Sequence, residues 1–269
     1  MKRLILTFTS TVVALAQPSS LPNAQTILER SGKATGQDAL RSITTQKLVG
    51  TLSIPATGIS GSIVSYQGRR GEMYQVVEIP GAGKTEVGNN GDVEWERSTL
   101  TGPKVRRVAA EPGDLLQPDP LSLAFSNPFS KVETAGLDRV NRKPCFLVNQ
   151  WTSSNTMLTI CYDRETFLPV QLKMNAAGKP ITMILGDYRP VGSAKMPFLL
   201  ETEIMGQTIR VQVDSITLNE PLPPEALQLP EEIEKLAYQR VPPEIREVEV
   251  DKERPILRHR TAPAPQKKR

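Results

Sequence analysis

Histidine is almost missing from this chain of 269 residues: His259 stands alone, close to the C-terminus. Ser-His-Asp and Cys-His nucleophile systems and HExxH metal sites all need histidine inside the fold, so histidine-based catalysis is excluded from the expected functions. Cysteine is equally scarce, with Cys145 and Cys161 only, and two sulfurs without a third ligand make a poor zinc site. Aromatics amount to 5% of residues, and no apolar run reaches the 18 or so residues that a membrane-spanning helix needs. Charge of one sign is also lacking from the body. The formal charge is +4, but residues 251–269 carry seven Lys/Arg against Asp251 and Glu253, and the N-terminus adds Lys2 and Arg3. Residues 17–250 are therefore mildly acidic, at −3, and a nucleic-acid partner is not expected.

What is present begins with a leader. Lys2 and Arg3 precede a mostly apolar run, Leu4 to Ala16, which ends in Ala14-Leu15-Ala16, the small-x-small pattern of a signal-peptidase site. We expect residues 1–16 to be a signal peptide cleaved after Ala16. No cysteine follows to accept a lipid, so the mature chain is expected to be exported and not acyl-anchored.

Export allows a disulfide to persist. Cys145–Trp151 and Thr156–Tyr162 read as two strands around the turn-forming Thr152-Ser153-Ser154-Asn155. Centred on Ser153, the hairpin sets Cys145 opposite Cys161, with Phe146, Val148, Leu158 and Ile160 on the other face. A cross-strand disulfide is the expectation, two free thiols the alternative.

Along the chain, Asn23 caps a short helix with Ala24, Ile27 and Leu28 on one face and Gly32 as its stop, and Asp38–Ile43 forms a second. Alternation then takes over. The expected strands are Leu48–Ile54, Gly61–Gln67, Glu72–Ile79, Thr85–Val87, Val93–Glu96 and Lys131–Thr134, then the two cysteine strands, then Val170–Asn175, Ile181–Tyr188, Phe198–Met205 and Thr208–Leu218. Such a series of short strands with few helices means an antiparallel meander, mainly β in class. Leu115 to Phe129, broken by Pro118, Pro120 and Pro128, reads as an irregular or short helical segment over the sheet. The expected organisation is one domain over 17–220, a proline-rich connector over 221–241 with a helix from Pro230 to Gln239, and a basic, proline-rich, disordered tail over 242–269. That tail is a candidate for peripheral contact with an anionic membrane.

Three motifs are set aside. Pro80-Gly81-Ala82-Gly83-Lys84-Thr85 carries the GKT ending of a phosphate loop but lacks its first glycine, having Glu78 there, and runs into another strand instead of a helix. It reads as a hairpin connection. Asp163 and Glu165 read as part of a charged turn, with Asp187 ending a strand, and not as an acid/base pair. Trp95 and Trp151 read as core residues of alternating strands.

Several segments together resemble the LolA-like periplasmic proteins, which include outer-membrane lipoprotein carriers and lipoprotein-sorting proteins. They are Ala34-Thr35-Gly36 with Ala39-Leu40, Leu48-Val49-Gly50-Thr51, Gly91 to Trp95, Tyr162-Asp163-Arg164-Glu165-Thr166 before Leu168-Pro169-Val170, and Asp187-Tyr188-Arg189 before Met196-Pro197-Phe198. The resemblance spans roughly residues 24–218. It implies an incomplete antiparallel barrel of about eleven strands, strongly curved, with short helices as a lid over an apolar concave face. The alternating positions offered for that face are Leu52, Ile54, Val64, Tyr66, Val77, Ile79, Phe146, Val148, Leu158, Ile160, Leu172, Met174, Met183, Leu185, Leu200, Val211 and Val213. The implied function is non-catalytic binding of lipid or lipoprotein acyl chains in the periplasm, without a cofactor or metal. The same resemblance covers envelope-stress regulators, so an envelope protein partner is the alternative.

Overall fold

A computed structural model describes residues 21–108, 129–152, 155–176 and 178–240, apart from the side chains of Val108, Ala176, Gln239 and Arg240. The leader, the Leu115–Phe129 segment up to residue 128, and the tail beyond residue 240 lie outside the described residues. Thirteen strands form one sheet: β1 Thr45–Ile54, β2 Ile59–Gly68, β3 Met73–Ile79, β4 Gly83–Asn89, β5 Val93–Ser98, β6 Gly102–Val108, β7 Phe129–Val140, β8 Lys143–Thr152, β9 Met157–Asp163, β10 Pro169–Ala176, β11 Lys179–Val191, β12 Ala194–Ile204 and β13 Gln207–Leu218. The order is β6-β5-β4-β3-β2-β1-β13-β12-β11-β10-β9-β8-β7, and every pairing is antiparallel. Two meanders thus meet where β1 pairs with β13, and β6 and β7 are left as the two edges of an incomplete barrel.

Among the described residues three helices accompany the sheet: α1 Ala24–Thr35, α2 Gln37–Arg41 and α3 Glu231–Arg240, with a 3-10 turn at Pro224–Ala226. Helix α1 starts where expected, Asn23 Oδ1 accepting from Thr26 N at 2.8 Å. It does not stop at Gly32. The left-handed residue that ends it is Gly36, φ 73°, whose N–H returns to Gly32 O. A Cβ on Gly36 would also collide with Ser193 O, so glycine lets the helix corner sit against the β11–β12 turn.

Pairing shows which side chains share a face, since directly opposed residues in antiparallel strands point the same way. Leu48, Ile63, Phe198 and Val213 form the central core, with Leu52, Val77, Leu200 and Val211 packed against them. On this same face, α1 places Ala24, Ile27 and Leu28 on Phe146, Val148, Leu158, Ile160 and Leu172. The opposite face is covered at the other wing by the C-terminal helix: Ala226, Ile233 and Ala237 pack on Tyr74, Val93, Trp95 and Val105. Gly88 is required there, because a Cβ would enter the indole of its cross-strand partner Trp95.

Four expectations are corrected. Strand β6 is additional and β7 runs far beyond Lys131–Thr134, so the sheet has thirteen strands and not the eleven or twelve expected. In β6 the alternation is hidden by Lys104, Arg106 and Arg107, of which the two arginines ion-pair with Glu94 and Glu96 of β5, and by a bulge at Glu94/Trp95. The cysteine hairpin is not centred on Ser153: Cys145 opposes Asp163 and Cys161 opposes Leu147. Thr152 N reaches Thr156 O at 3.0 Å, and Asn155, which tolerates its φ of 61°, closes the loop one position later. The disulfide forms all the same, diagonally, with the two Cα atoms 5.5 Å apart. The shift of two positions preserves every face, so both cysteines still lie opposite Phe146 and Val148. The fourth correction, in β2, bears on the site below.

Candidate functional site

The α1-bearing face is aliphatic across most of its width. Of the positions offered for the apolar face, all but two lie on it, because the register carries one face from Ile54, Leu52, Val77 and Ile79 through Val211, Val213, Leu200, Leu185, Met183, Leu172 and Met174 to Ile160, Leu158, Val148 and Phe146. Val64 and Tyr66 point the other way. Ile63, between Gly61 and Ser65 on the α1 side, takes the place expected for Val64. Tyr66 instead stacks on Tyr74, with ring centroids 6.4 Å apart, and lies under the Lys47 ammonium at 5.4 Å.

Two regions of this face differ in cover. Beneath α1, Ile27, Val148, Leu158, Ile160 and Leu172 are fully buried. Beside it, Leu52, Ile54, Val77, Ile79, Leu200, Val211, Met174 and Met183 are half-buried, an aliphatic surface that continues the core outward. Among the described residues, the polar ties of α1 to the sheet are few. Thr134 Oγ1 donates to Pro22 O at 2.8 Å, and the Arg30 guanidinium lies 5.0 Å over the Phe167 ring. The helix is held mainly by apolar contact.

One polar pair sits inside this layer. Gln150, on β8, donates from Nε2 to Tyr162 Oη at 2.7 Å, while its Oε1 has no partner. Burial pushes the Tyr162 phenol up, against the smaller opposing effect of Gln150, so it stays a neutral hydroxyl at any physiological pH. An unpartnered buried acceptor costs on the order of 1–3 kcal/mol.

The carboxylates set aside in the sequence have structural partners. Asp163 Oδ1 accepts from Glu165 N, Thr166 N and Thr166 Oγ1, holding the β9–β10 loop; burial pushes its carboxyl up, but these bonds outweigh it and lower it overall. Asp187 is paired with Arg189 at 2.6 Å. The Pro80–Thr85 run is the β3–β4 hairpin connection. Trp95 is core, whereas Trp151 is half-buried on the other face with Lys131 Nζ 4.2 Å from its ring centre.

Sequence reasoning missed the main charged cluster, which lies on the α3 side. Glu86, almost fully buried, accepts from Tyr74 Oη at 2.6 Å and pairs with Arg97 and with Lys84 Nζ at 2.9 Å; Arg97 also reaches Glu232 of α3 at 3.1 Å. Burial pushes the Glu86 carboxyl up, but the bonds from Arg97, Tyr74 and Lys84 outweigh it and hold it down at about 2. The cluster fastens the C-terminal helix to β4 and β5. The signal for it was Lys84-x-Glu86 on β4 and Arg97 on β5, whose partnership is visible only once the strands are paired.

No protein-family model matches the chain, and none of the curated proteins does. Solved structures do. A DUF1329 family protein from Desulfovibrio piger is 9% identical with a TM-score of 0.50, over 77% of this chain and 97% of that one. A putative outer membrane lipoprotein-sorting protein domain from Vibrio parahaemolyticus is 10% identical with a TM-score of 0.48, over 77% and 97%. The LolA superfamily protein NE2245 from Nitrosomonas europaea is 13% identical with a TM-score of 0.46, over 77% and 98%. At these identities the likeness is one of fold alone, that of an open antiparallel sheet.

Proposed function

We propose that this is an exported, non-catalytic binding protein for acyl chains, of lipids or of lipoproteins, which seats them on the α1-bearing face. The observation that carries the reading is the half-buried aliphatic surface of Leu52, Val77, Leu200 and Val211, continuous with a core whose cover, α1, is held mainly by apolar contact. Aliphatic and methionine side chains suit a guest that has no directional groups along its length. At about 0.8 kcal/mol per buried CH₂, a chain of roughly 16 carbons gains on the order of 12 kcal/mol by leaving water. A carrier must also release such a guest. Moving α1 aside to admit it costs part of that energy and so lowers the net affinity to a usable range.

Native mass spectrometry of protein purified from its own cell envelope, with titration by a fluorescent fatty acid, tests the reading. Co-purifying lipid or lipopeptide and saturable uptake are expected, and Leu200→Asp with Val211→Asp should lower uptake at least about tenfold by placing carboxylates on the face. Absence of both cargo and uptake would overturn it, and recovery of a stoichiometric envelope protein without lipid would point to the regulatory alternative.

A further inference from the structure

One end of the α1 wing is a rim of cations that make no ion pair among the described residues. The β7–β8 turn, Asn141 and Arg142 with φ of 49° and 69°, carries exposed Arg142 and Lys143 at its tip. Arg164 of the β9–β10 loop lies beside it, Arg164 N donating to Pro144 O at 3.2 Å. The Arg164 guanidinium covers Phe146 at 5.4 Å, Phe146 stacks on Phe167 with centroids 5.9 Å apart, and Arg30 of α1 covers Phe167 at 5.0 Å. The rim is thus an alternation of guanidinium, ring, ring and guanidinium that joins the sheet to the helix. Arg139, which opposes Pro144, stands exposed on the same side.

None of Arg30, Arg139, Arg142, Lys143 and Arg164 has an ion-pair partner among the described residues. The acidic groups near them are Asp163, which attracts Lys143 but has Oδ1 committed to its own loop, exposed Glu165, and Asp138, which pairs with Lys173; on α1, Glu29 is offset by Lys33 one turn on. Elsewhere among the described residues Arg97, Arg106, Arg107, Arg189 and Arg210 are each matched to a carboxylate, and cations without an ion pair, such as Arg69, Lys104 and Lys195, are scattered instead of gathered at one end. Arg30 and Arg164 engage different rings of the stacked pair, Phe167 and Phe146, and Arg142 and Lys143 stand on a separate turn. They suit many anionic groups spread over a surface.

We infer that this rim docks the protein on an anionic bilayer surface, with the α1 end of the apolar face turned toward the headgroups. The inference goes beyond acyl binding and stands on charge and position alone. A juxtaposed Lys or Arg is worth about 1 kcal/mol at such a surface.

The test is flotation of the full chain with phosphatidylcholine vesicles, with and without phosphatidylglycerol, at low and high salt. Binding only to the phosphatidylglycerol vesicles, weakened by salt, is expected, and Arg142→Gln/Lys143→Gln/Arg164→Gln should reduce partitioning about a hundredfold. Lys179→Gln, in the β10–β11 turn at the opposite end of the same strands, should leave it unchanged. The double variant Arg142→Gln/Lys143→Gln, confined to an exposed turn, supports the same conclusion without touching the ring stack. Unchanged partitioning of the triple variant would overturn the inference and assign the binding to the basic segment 251–269. Absence of any preference for phosphatidylglycerol would overturn it too, leaving these cations to an acidic protein partner. Fatty-acid uptake measured on the same variants without vesicles keeps this result separate from the proposed function.

Discussion

Glu86 shows how far a single side chain departs from what its neighbours in sequence suggest. Its folded carboxyl is held at about 2, below the value near 4 that an unfolded chain gives it, so its contribution to stability is full above the unfolded value and fades as pH falls toward 2. Glu86→Gln should therefore lower stability at neutral pH by on the order of 2 kcal/mol and flatten the acid limb between about pH 4 and 2, both read from urea unfolding across pH. An unaltered acid limb would show that the clamp on α3 is energetically idle. The cysteines were legible from the sequence because period-two alternation defines their face irrespective of register. Val64 and Tyr66 were not, because Ile63-Val64 and Val76-Val77 present adjacent apolar residues on paired strands and local alternation cannot say which of each pair faces inward.

Among the elements, α1 is the one whose energetics bear on function. Ile27 is fully buried against β8–β10, and Ile27→Ala should cost about 2–4 kcal/mol of docking free energy. Hydrogen exchange should show α1 amides losing protection while β8–β10 keep theirs. If α1 must move to admit an acyl chain, the same variant should tighten apparent fatty-acid affinity, because less docking energy opposes opening. Weakened affinity would mean that Ile27 lines the occupied site instead of covering it. The start of α1 was readable from Asn23, a side chain that caps through its own oxygen. Its end was not, since Gly32 and Gly36 are equal candidates in sequence and only the β11–β12 turn, distant along the chain, selects Gly36. Strand β6 was hidden for a related reason: Arg106 and Arg107 are satisfied by Glu94 and Glu96 across the sheet, a partnership that no local window contains.

At the scale of the whole molecule, the sheet keeps one side largely aliphatic from β3 through β8 while dividing its helical cover between faces, α1 on one and α3 on the other. The covers differ in kind. Both rest on apolar contact, but α3 is fastened in addition by charge, through Arg97 and Glu232, whereas α1 lies beneath a cationic rim. A face whose cover at one end is held mainly by apolar contact, with half-buried aliphatics beside it, is the physical basis of the acyl-binding account. Its most direct test is methyl NMR with an isotope-labelled fatty acid. Intermolecular NOEs from the acyl chain to the methyl groups of Leu52, Val77, Leu200 and Val211 are predicted. NOEs to Val64 and Val76 on the α3 side, or none to the α1 side at saturating ligand, would contradict it.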